Sequence, residues 1–255
     1  MYLKLITANI RFDNPNDGDH TWEHRRPHLQ KIIQDFLPDI LATQEGRKPQ
    51  LKNLESLIHH TLIDAHRDWI SDRMYPCLFI NEEQIKLNLS GDVWLSETPY
   101  VNGSSSFNSA FPRLCTWAQV THLTSGEDFF VINTHLDHVL EETRVEQIKV
   151  LINEVQVHNK KNHPVILMGD FNASPFGEVR KTINEKMDLK DPWFEKQLAE
   201  ETSHHGFIGS DKGDRIDWIL VPKAFVIEEI KMEKNAVNKI YPSDHYPILA
   251  TVVPR

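Results

Sequence analysis

Cysteine is almost absent: Cys77 and Cys115 are the only two in 255 residues, far apart and each in an apolar stretch. That excludes a disulfide framework and a Cys-type zinc site, and predicts two buried reduced thiols. No apolar run approaches the roughly 20 residues of a membrane span, and the N-terminus lacks the basic region and small-residue cleavage site of a signal peptide. The expectation is a chain that begins at Met1 and works in the cytoplasm. Basic excess is missing too: 37 Asp and Glu stand against 28 Lys and Arg, a formal net charge of −9, which argues against broad adhesion to a nucleic-acid backbone. A nucleic-acid substrate is not thereby excluded, because carboxylates gathered around a metal make the bare charge more negative than the working charge. Glycine (10) and proline (14) are too sparse for a collagen-like or disordered chain. What remains, 40% hydrophobic and 25% charged residues with no linker-like block, predicts one folded domain over 1–255 with a sizeable core.

Short apolar runs alternate with longer amphipathic stretches, the pattern of a mixed α/β chain. Residues 3–10 read as a buried strand. Thr21 stands as N-cap of a helix over 22–36, stopped by Pro38, and 39–44 reads as a second strand, so the three make one crossover unit. The grammar returns with a strand at 129–134, a helix at 141–158 and a strand at 165–169, as in a weak structural duplication. Between the halves, strand-like segments at 77–80, 84–89, 93–95 and 114–122, separated by turn residues, suggest hairpins. A helical region and a polar loop over 202–214 follow, then strands at 215–221, 226–232 and 248–253. Each half is expected to form its own largely antiparallel sheet, the two sheets facing one another with helices outside.

The informative residues stand where strands end. Asn9 closes the first strand, Glu45 the second, His135 the strand at 129–134 and Asp170 its partner. Singly, each has a structural reading: Asn9 a turn, Glu45 a helix cap, GDFN a common turn sequence. Together they point to a crevice beyond strand ends, where loops present polar groups from a rigid floor. Carboxylates from Glu45 and Asp170 with the amide of Asn9 suit a hard cation such as Mg²⁺, which takes one or two carboxylates plus substrate phosphate. Asp217 lies in the apolar run RIDWILV, where an unpaired carboxylate is costly. Its expected partner is His245 of Ser243-Asp244-His245. A carboxylate on one ring nitrogen fixes the tautomer and favours the imidazolium, leaving the other nitrogen for chemistry.

TANI with Asn9, TQEGR with Glu45 and Arg47, NTHLDH with His135, MGDFN with Asp170 and Asn172, RIDWIL with Asp217 and SDH with Asp244 and His245 follow one another along the chain. In this order they resemble the endonuclease/exonuclease/phosphatase superfamily, over nearly the whole length. RFDNPNDG, WEHRRPHL, DVWLSETP and FPRLCTW look like a bacterial branch related to nocturnin-type deadenylases. The resemblance implies the DNase I-like fold, a four-layer α/β/β/α sandwich of two facing, mostly antiparallel mixed sheets. It implies a divalent-metal-dependent phosphoesterase, with a phosphodiesterase or nuclease read ahead of a phosphomonoesterase on a small phosphorylated metabolite or lipid headgroup. Glu45, with Asn9 and Asp244, would surround Mg²⁺ or Mn²⁺, and Asp170 would position and deprotonate the attacking water. Asn172 would orient Asp170 and contact the phosphate, His245 with Asp217 would stabilise the developing charge, and His135 would stand near the scissile phosphate. Arg47 and Arg113 are the expected phosphate clamps, since guanidinium meets phosphate bidentately. The expected partner is a phosphate-ester substrate, nucleic acid or nucleotide first, with no membrane and no obligate protein partner.

One place departs from the family pattern: the Glu that commonly precedes the Tyr of the central strand, and orients the histidine of the NTH motif, is replaced by Met74 before Tyr75. Asp137 and His138 are then the candidates to fix His135. The same segment raises a different chemistry, because His135, Asp137 and His138 mimic part of an HxHxDH zinc-hydrolase site with Asn133 in place of its first histidine. A phospholigand-binding module is the non-enzymatic alternative. A degenerate module is expected to lose Glu45, Asp170 or His245, and all three are present. The polar loops over 11–20, 96–113 and 202–214 are expected to shape specificity.

Overall fold

Parity along the strands decides the layers. In β1 (Leu3–Asn9), Leu3 and Leu5 enter one hydrophobic cluster while Ile6 and Ala8 enter another, as period-2 pleating requires. The structure is a computed structural model that describes residues 2–255; Met1, the expected start, lies outside them. After a 3-10 turn at Pro15–His20 come α1 (Trp22–Phe36), β2 (Ile40–Gly46), α2 (Lys48–Leu57), β3 (Thr61–Leu62) and β4 (Tyr75–Ile80). The middle of the chain forms β5 (Ile85–Trp94), β6 (Leu114–His122), β7 (Asp128–His135), α3 (Glu141–His158) and β8 (Val165–Asp170). The rest supplies α4 (Glu178–Lys186), β9 (Leu189–Lys190), α5 (Pro192–Glu195), β10 (Asp217–Pro222), β11 (Val226–Met232) and β12 (Ile248–Val253).

Two six-stranded sheets result, in the orders β11-β12-β1-β2-β4-β3 and β5-β6-β7-β8-β10-β9. Each holds one parallel pair, β1 with β2 and β7 with β8, among antiparallel neighbours. The same parity runs through both. Phe129 and Val131 of β7, Ile166 and Met168 of β8, and Ile219 and Val221 of β10 share a core with Leu3, Leu5, Ile40 and Ala42 of the other sheet. Phe130, Ile132 and Leu167 instead pack under Ile148 and Leu151 of α3 and Val179 and Ile183 of α4. On the far side, Ile6, Leu41 and Phe79 meet Leu29 and Ile33 of α1 and Leu51 and Leu54 of α2. Three apolar interfaces therefore separate four layers, the expected α/β/β/α sandwich. Each fully buried Leu, Ile or Phe contributes roughly 1.5–3 kcal/mol to it.

Local expectations change at four places. The strands expected over 84–89 and 93–95 are one, β5, with a register shift between Leu87 and Leu89. Gly91, between the two expected runs, is not a turn. The Trp117 ring covers it so closely that a Cβ there would lie 2.8 Å from Trp117 Cζ2. One sheet per half holds only in part, because β11 and β12 return to the first sheet and β12 pairs with β1. Thr21 is the N-cap by position, yet its hydroxyl meets His24 Nδ1 at 3.3 Å and no backbone N–H. The fourth is α2, which the apolar pattern did not announce; it starts three residues beyond Glu45 with Pro49 in its first turn. Cys77 and Cys115 are buried and unpaired. Among the described residues, no helix is long and apolar enough to cross a membrane.

Candidate active site

Followed toward one end of the sandwich, the same strand faces turn polar. The face of Leu3 and Leu5 ends in Thr7 and Asn9, that of Ile40 and Ala42 in Gln44, that of Phe129 and Val131 in Asn133 and His135. Those of Ile166 and Ile219 end in Asp170 and Asp217. The first polar layer is a buried crosslink between the sheets. Gln44 Nε2 donates to Asn133 Oδ1 (2.7 Å) and Thr7 Oγ1 (3.1 Å), and Asn133 Nδ2 donates to the carbonyls of Thr43 (2.8 Å) and Cys77 (2.7 Å). Those carbonyls flank the place where β2 slips against β4, between Thr43 and Gly46. In that slip Glu45 takes a left-handed φ of 67°, and its side chain joins the lining of a cleft. Asn133 thus satisfies, from the opposite sheet, backbone groups of the irregularity that aims Glu45.

Above the crosslink Asn9 is the hub. Its Nδ2 donates to Asp170 Oδ2 (2.9 Å) and Glu45 Oε1 (3.2 Å) and stands 3.5 Å from His245 Nε2, while its Oδ1 accepts the Arg11 N–H (3.0 Å). His245 Nδ1 and Asp217 Oδ2 are 2.8 Å apart, the pair expected from unpaired-charge logic. His135 Nε2 lies 3.4 Å and His245 Nε2 3.9 Å from Asp170 Oδ2. Register brings these together: both Asp217 and His135 sit opposite Asp170 in the ladder, and β12 beside β1 delivers the preceding His245. Ser203 fastens the dyad at both ends, its Oγ accepting the Asp217 N–H (3.1 Å) and its carbonyl the Tyr246 N–H (2.8 Å).

Burial, with the charge of Asp217 beside it, pushes the Asp170 carboxyl up to about 7. Burial works against charge on His245, but Asp217, then Asp170 and Asp244, outweigh it and hold the imidazolium up to about 10. Burial and the positive charges of Arg113 and His245 depress His135 well below the usual histidine range. Asp170 therefore faces two histidines shifted in opposite directions, His245 toward its protonated form and His135 toward its neutral form.

The cleft, about 640 Å³, is lined by Glu45, His135, Asp170, Asn172, Asp244 and His245, and by Arg47 and Arg113. Asn9 and Asp217 are buried behind them. Two expected roles change. Asn172 orients Asp170 through its backbone N–H, which donates to Oδ1 (2.9 Å), while its side-chain amide bonds the Leu136 carbonyl (3.0 Å). Asp137 does not fix His135: it is fully buried and accepts the backbone N–H groups of Ala110, Val139 and Leu140 and the Ser109 hydroxyl. With Asn133 and Asp137 so engaged, no HxHxDH ligand set exists. His138 is exposed, 3.3 Å from Arg113 Nη2.

Sequence reasoning missed Arg11, Arg25, Arg73 and His204. Arg11 lines the cleft, held by Asp17 (3.1 Å) and 3.8 Å from Asp244. Arg25, fully buried, donates to the carbonyls of Ile10, Arg11, His20 and Pro242, tying together the segments that carry Arg11 and Asp244. Two adjacent arginines in WEHRRPHL do not tell which one is buried. The carboxylates of Glu45, Asp170 and Asp244 face one cleft with no thiol among them, an oxygen set that fits a hard divalent cation. Donor atoms of Asp170, Asp217 and His245 also lie within 4.8 Å of one another. The bond between His245 and Asp217 already occupies one donor of each, so that trio is a dyad beside a carboxylate.

The model of the Endonuclease/Exonuclease/phosphatase family matches residues 6–245, and the chain belongs to that family. Its members are phosphoester hydrolases that generally use divalent metals. A family protein of Bacteroides thetaiotaomicron superposes with a TM-score of 0.90 at 26% identity, covering 100% of this chain and 98% of its own. The mannosyl-6-phosphatase of the same organism gives 0.89 at 27% identity, covering 98% and 99%. The human nocturnin catalytic domain with bound sulfate anion gives 0.72 at 21% identity, covering 98% and 93%, a likeness of fold alone.

Proposed function

We propose that this chain is a divalent-metal-dependent phosphoesterase that cleaves a phosphate ester by in-line attack of water. The observation that carries this reading is the convergence of Glu45, Asp170 and His245 on the amide of Asn9. Glu45, Asn9 and Asp244 would hold Mg²⁺ or Mn²⁺, which when bound offsets charge on the phosphoryl oxygens. Asp170 takes the proton of the attacking water, a task suited to a carboxylate raised to about 7. The Asn172 N–H holds its Oδ1 and the Asn9 amide its Oδ2, which fixes the carboxylate for that proton transfer. His245, kept cationic by Asp217, presents Nε2–H to the charge that develops on the phosphoryl group. His135, neutral and close to the same carboxylate, adds a second ring nitrogen, and Arg47 and Arg113 line the cleft as positive groups for an anionic substrate.

For the substrate we place a phosphomonoester of a small metabolite ahead of a nucleic-acid phosphodiester, reversing the order read from the motifs. A cleft of about 640 Å³ is of small-ligand size, and a net charge of −9 does not suit a polyanionic chain. The relative named a mannosyl-6-phosphatase, matched nearly end to end, supports a sugar phosphate. The nuclease reading rests on Phe12 and Phe111, aromatic lining residues on which a base would stack. A turnover panel in Mg²⁺ and Mn²⁺ decides, with sugar phosphates, nucleotides, single-stranded RNA and DNA, and aryl phosphate mono- and diesters. Release from sugar phosphates, abolished by chelator, is expected. Tight binding without release from any member would leave a phospholigand-binding module and end the enzymatic reading.

A further inference from the structure

Guanidiniums around the cleft are partnered differently. Arg11 meets Asp17, much as Arg67, away from the cleft, meets Asp92. Among the described residues, Arg47, Arg73 and Arg113 have no carboxylate partner, although the chain carries a net charge of −9. Arg113 is only 8% exposed, touches no polar side chain but His138, and its Nε has no partner. Burial depresses its hold on the proton, more than the charges of Asp170, Glu45 and Asp137 restore it. Arg73 donates Nη1 to the Pro112 carbonyl at 3.2 Å, which sets it against the chain that carries Arg113, and its Nε is likewise buried and unpartnered. Arg47 lies 4.6 Å over the Phe12 ring with an unpartnered Nε. It precedes the ten-residue helix α2, whose N-terminus has no side-chain cap and no acid in its first turn. Lys48, 5.5 Å over Trp69, holds that helix start against the segment leading to Arg73.

Met74 lines the same cleft beside them. The family pattern leads one to expect a Glu there, which would stand beside Arg73; this chain offers an apolar side chain. Asp72, exposed at the rim, accepts from the Ser71 hydroxyl. Resting on the phosphoesterase reading, we infer that Arg73 and Arg113, with Arg47 and the start of α2, form a second anion subsite for a substrate phosphate other than the one cleaved. The cleaved phosphate would meet His135 and His245, which stand 3.4 and 3.9 Å from Asp170, whereas none of these guanidiniums bonds Asp170. A guanidinium free of carboxylate can give a phosphate two parallel N–H···O bonds, and a helix start adds N–H groups and its dipole. The substrate class is then a small molecule that carries two phosphate groups.

Calorimetry in EDTA with glucose 1,6-bisphosphate and glucose 6-phosphate reads the subsite without turnover. The bisphosphate is expected to bind about tenfold tighter or better, the scale of one charge-assisted hydrogen-bonded contact. Arg73→Met and, separately, Met74→Glu should bring the two affinities to within about twofold, while Met74→Gln keeps the preference. Equal affinities in the unsubstituted protein, or a preference that survives both Arg73→Met and Met74→Glu in variants folded by circular dichroism, overturns the subsite. Turnover in Mg²⁺ is measured separately. Its absence on both sugars with the binding preference intact sinks the phosphoesterase reading and supports the subsite on its own terms.

Discussion

The two crossover units, β1-α1-β2 and β7-α3-β8, share a parallel pair, an outer helix and polar residues at two strand ends, yet they deliver different chemistry. In the second, His135 and Asp170 stay in register, and Asp170 is 1% exposed, which drives its carboxyl up to about 7. In the first, a slip after Thr43 throws Glu45 into a left-handed conformation and leaves it half-buried in the cleft. A carboxylate kept near water stays available to a cation, whereas one deep in the sandwich is poised to accept a proton. A duplicated scaffold thus carries residues to one end, and depth and a local slip decide what each one does there.

Removing the deep acid breaks the comparison most sharply. Asp170→Asn keeps the Asn9 contact but cannot take a proton, so kcat should fall by about 10³-fold or more with substrate affinity within a few-fold; activity close to the parent's would strike Asp170 from the mechanism. Next come Asp217→Asn and His245→Ala, each expected to lower turnover by about 10²-fold or more under saturating Mg²⁺. Their double variant should be little worse than His245→Ala alone, since residues acting as one unit lose non-additively. Multiplicative losses would mean that Asp217 serves something other than His245.

The shallow acid is tested by Glu45→Gln, which should weaken Mg²⁺ binding by about 100-fold in calorimetry with the fold unchanged; unaltered Mg²⁺ affinity and turnover would refute its role. The crosslink beneath both units is the next target. Asn133→Ala strands the carbonyls of Thr43 and Cys77, and a urea titration should register a loss of about 2 kcal/mol, with weaker Mg²⁺ binding because the slip at Glu45 loosens. A stable variant with weakened metal binding would separate aiming from folding. The smallest effect belongs to Thr21→Ala, expected to cost below about 0.5 kcal/mol against the ~1 kcal/mol of a true side-chain cap, because its hydroxyl meets His24 and no backbone donor.

The apolar runs by themselves determined most of the longer strands, though not β3, β9 or the unity of β5, because pleating forces residues 3, 5, 7 and 9 onto one face whatever lies opposite. Strand ends pointed to Asn9, Glu45, His135 and Asp170 at one end of the sandwich, and the cost of a lone carboxylate, with the family resemblance, pointed from Asp217 to His245. Only the tertiary structure decided which sheet β11 and β12 join, that Gly91 lies under Trp117, and that α2 starts beside the cleft. It alone decided that Asn133 binds the backbone at Glu45, that Arg25 rather than Arg26 is buried, and that Asp137 serves a loop instead of His135. The physical reason is range. Parity and caps act between near neighbours, whereas Gln44 and Asn133 meet across 89 residues, and a partner so distant leaves no periodic trace in either segment.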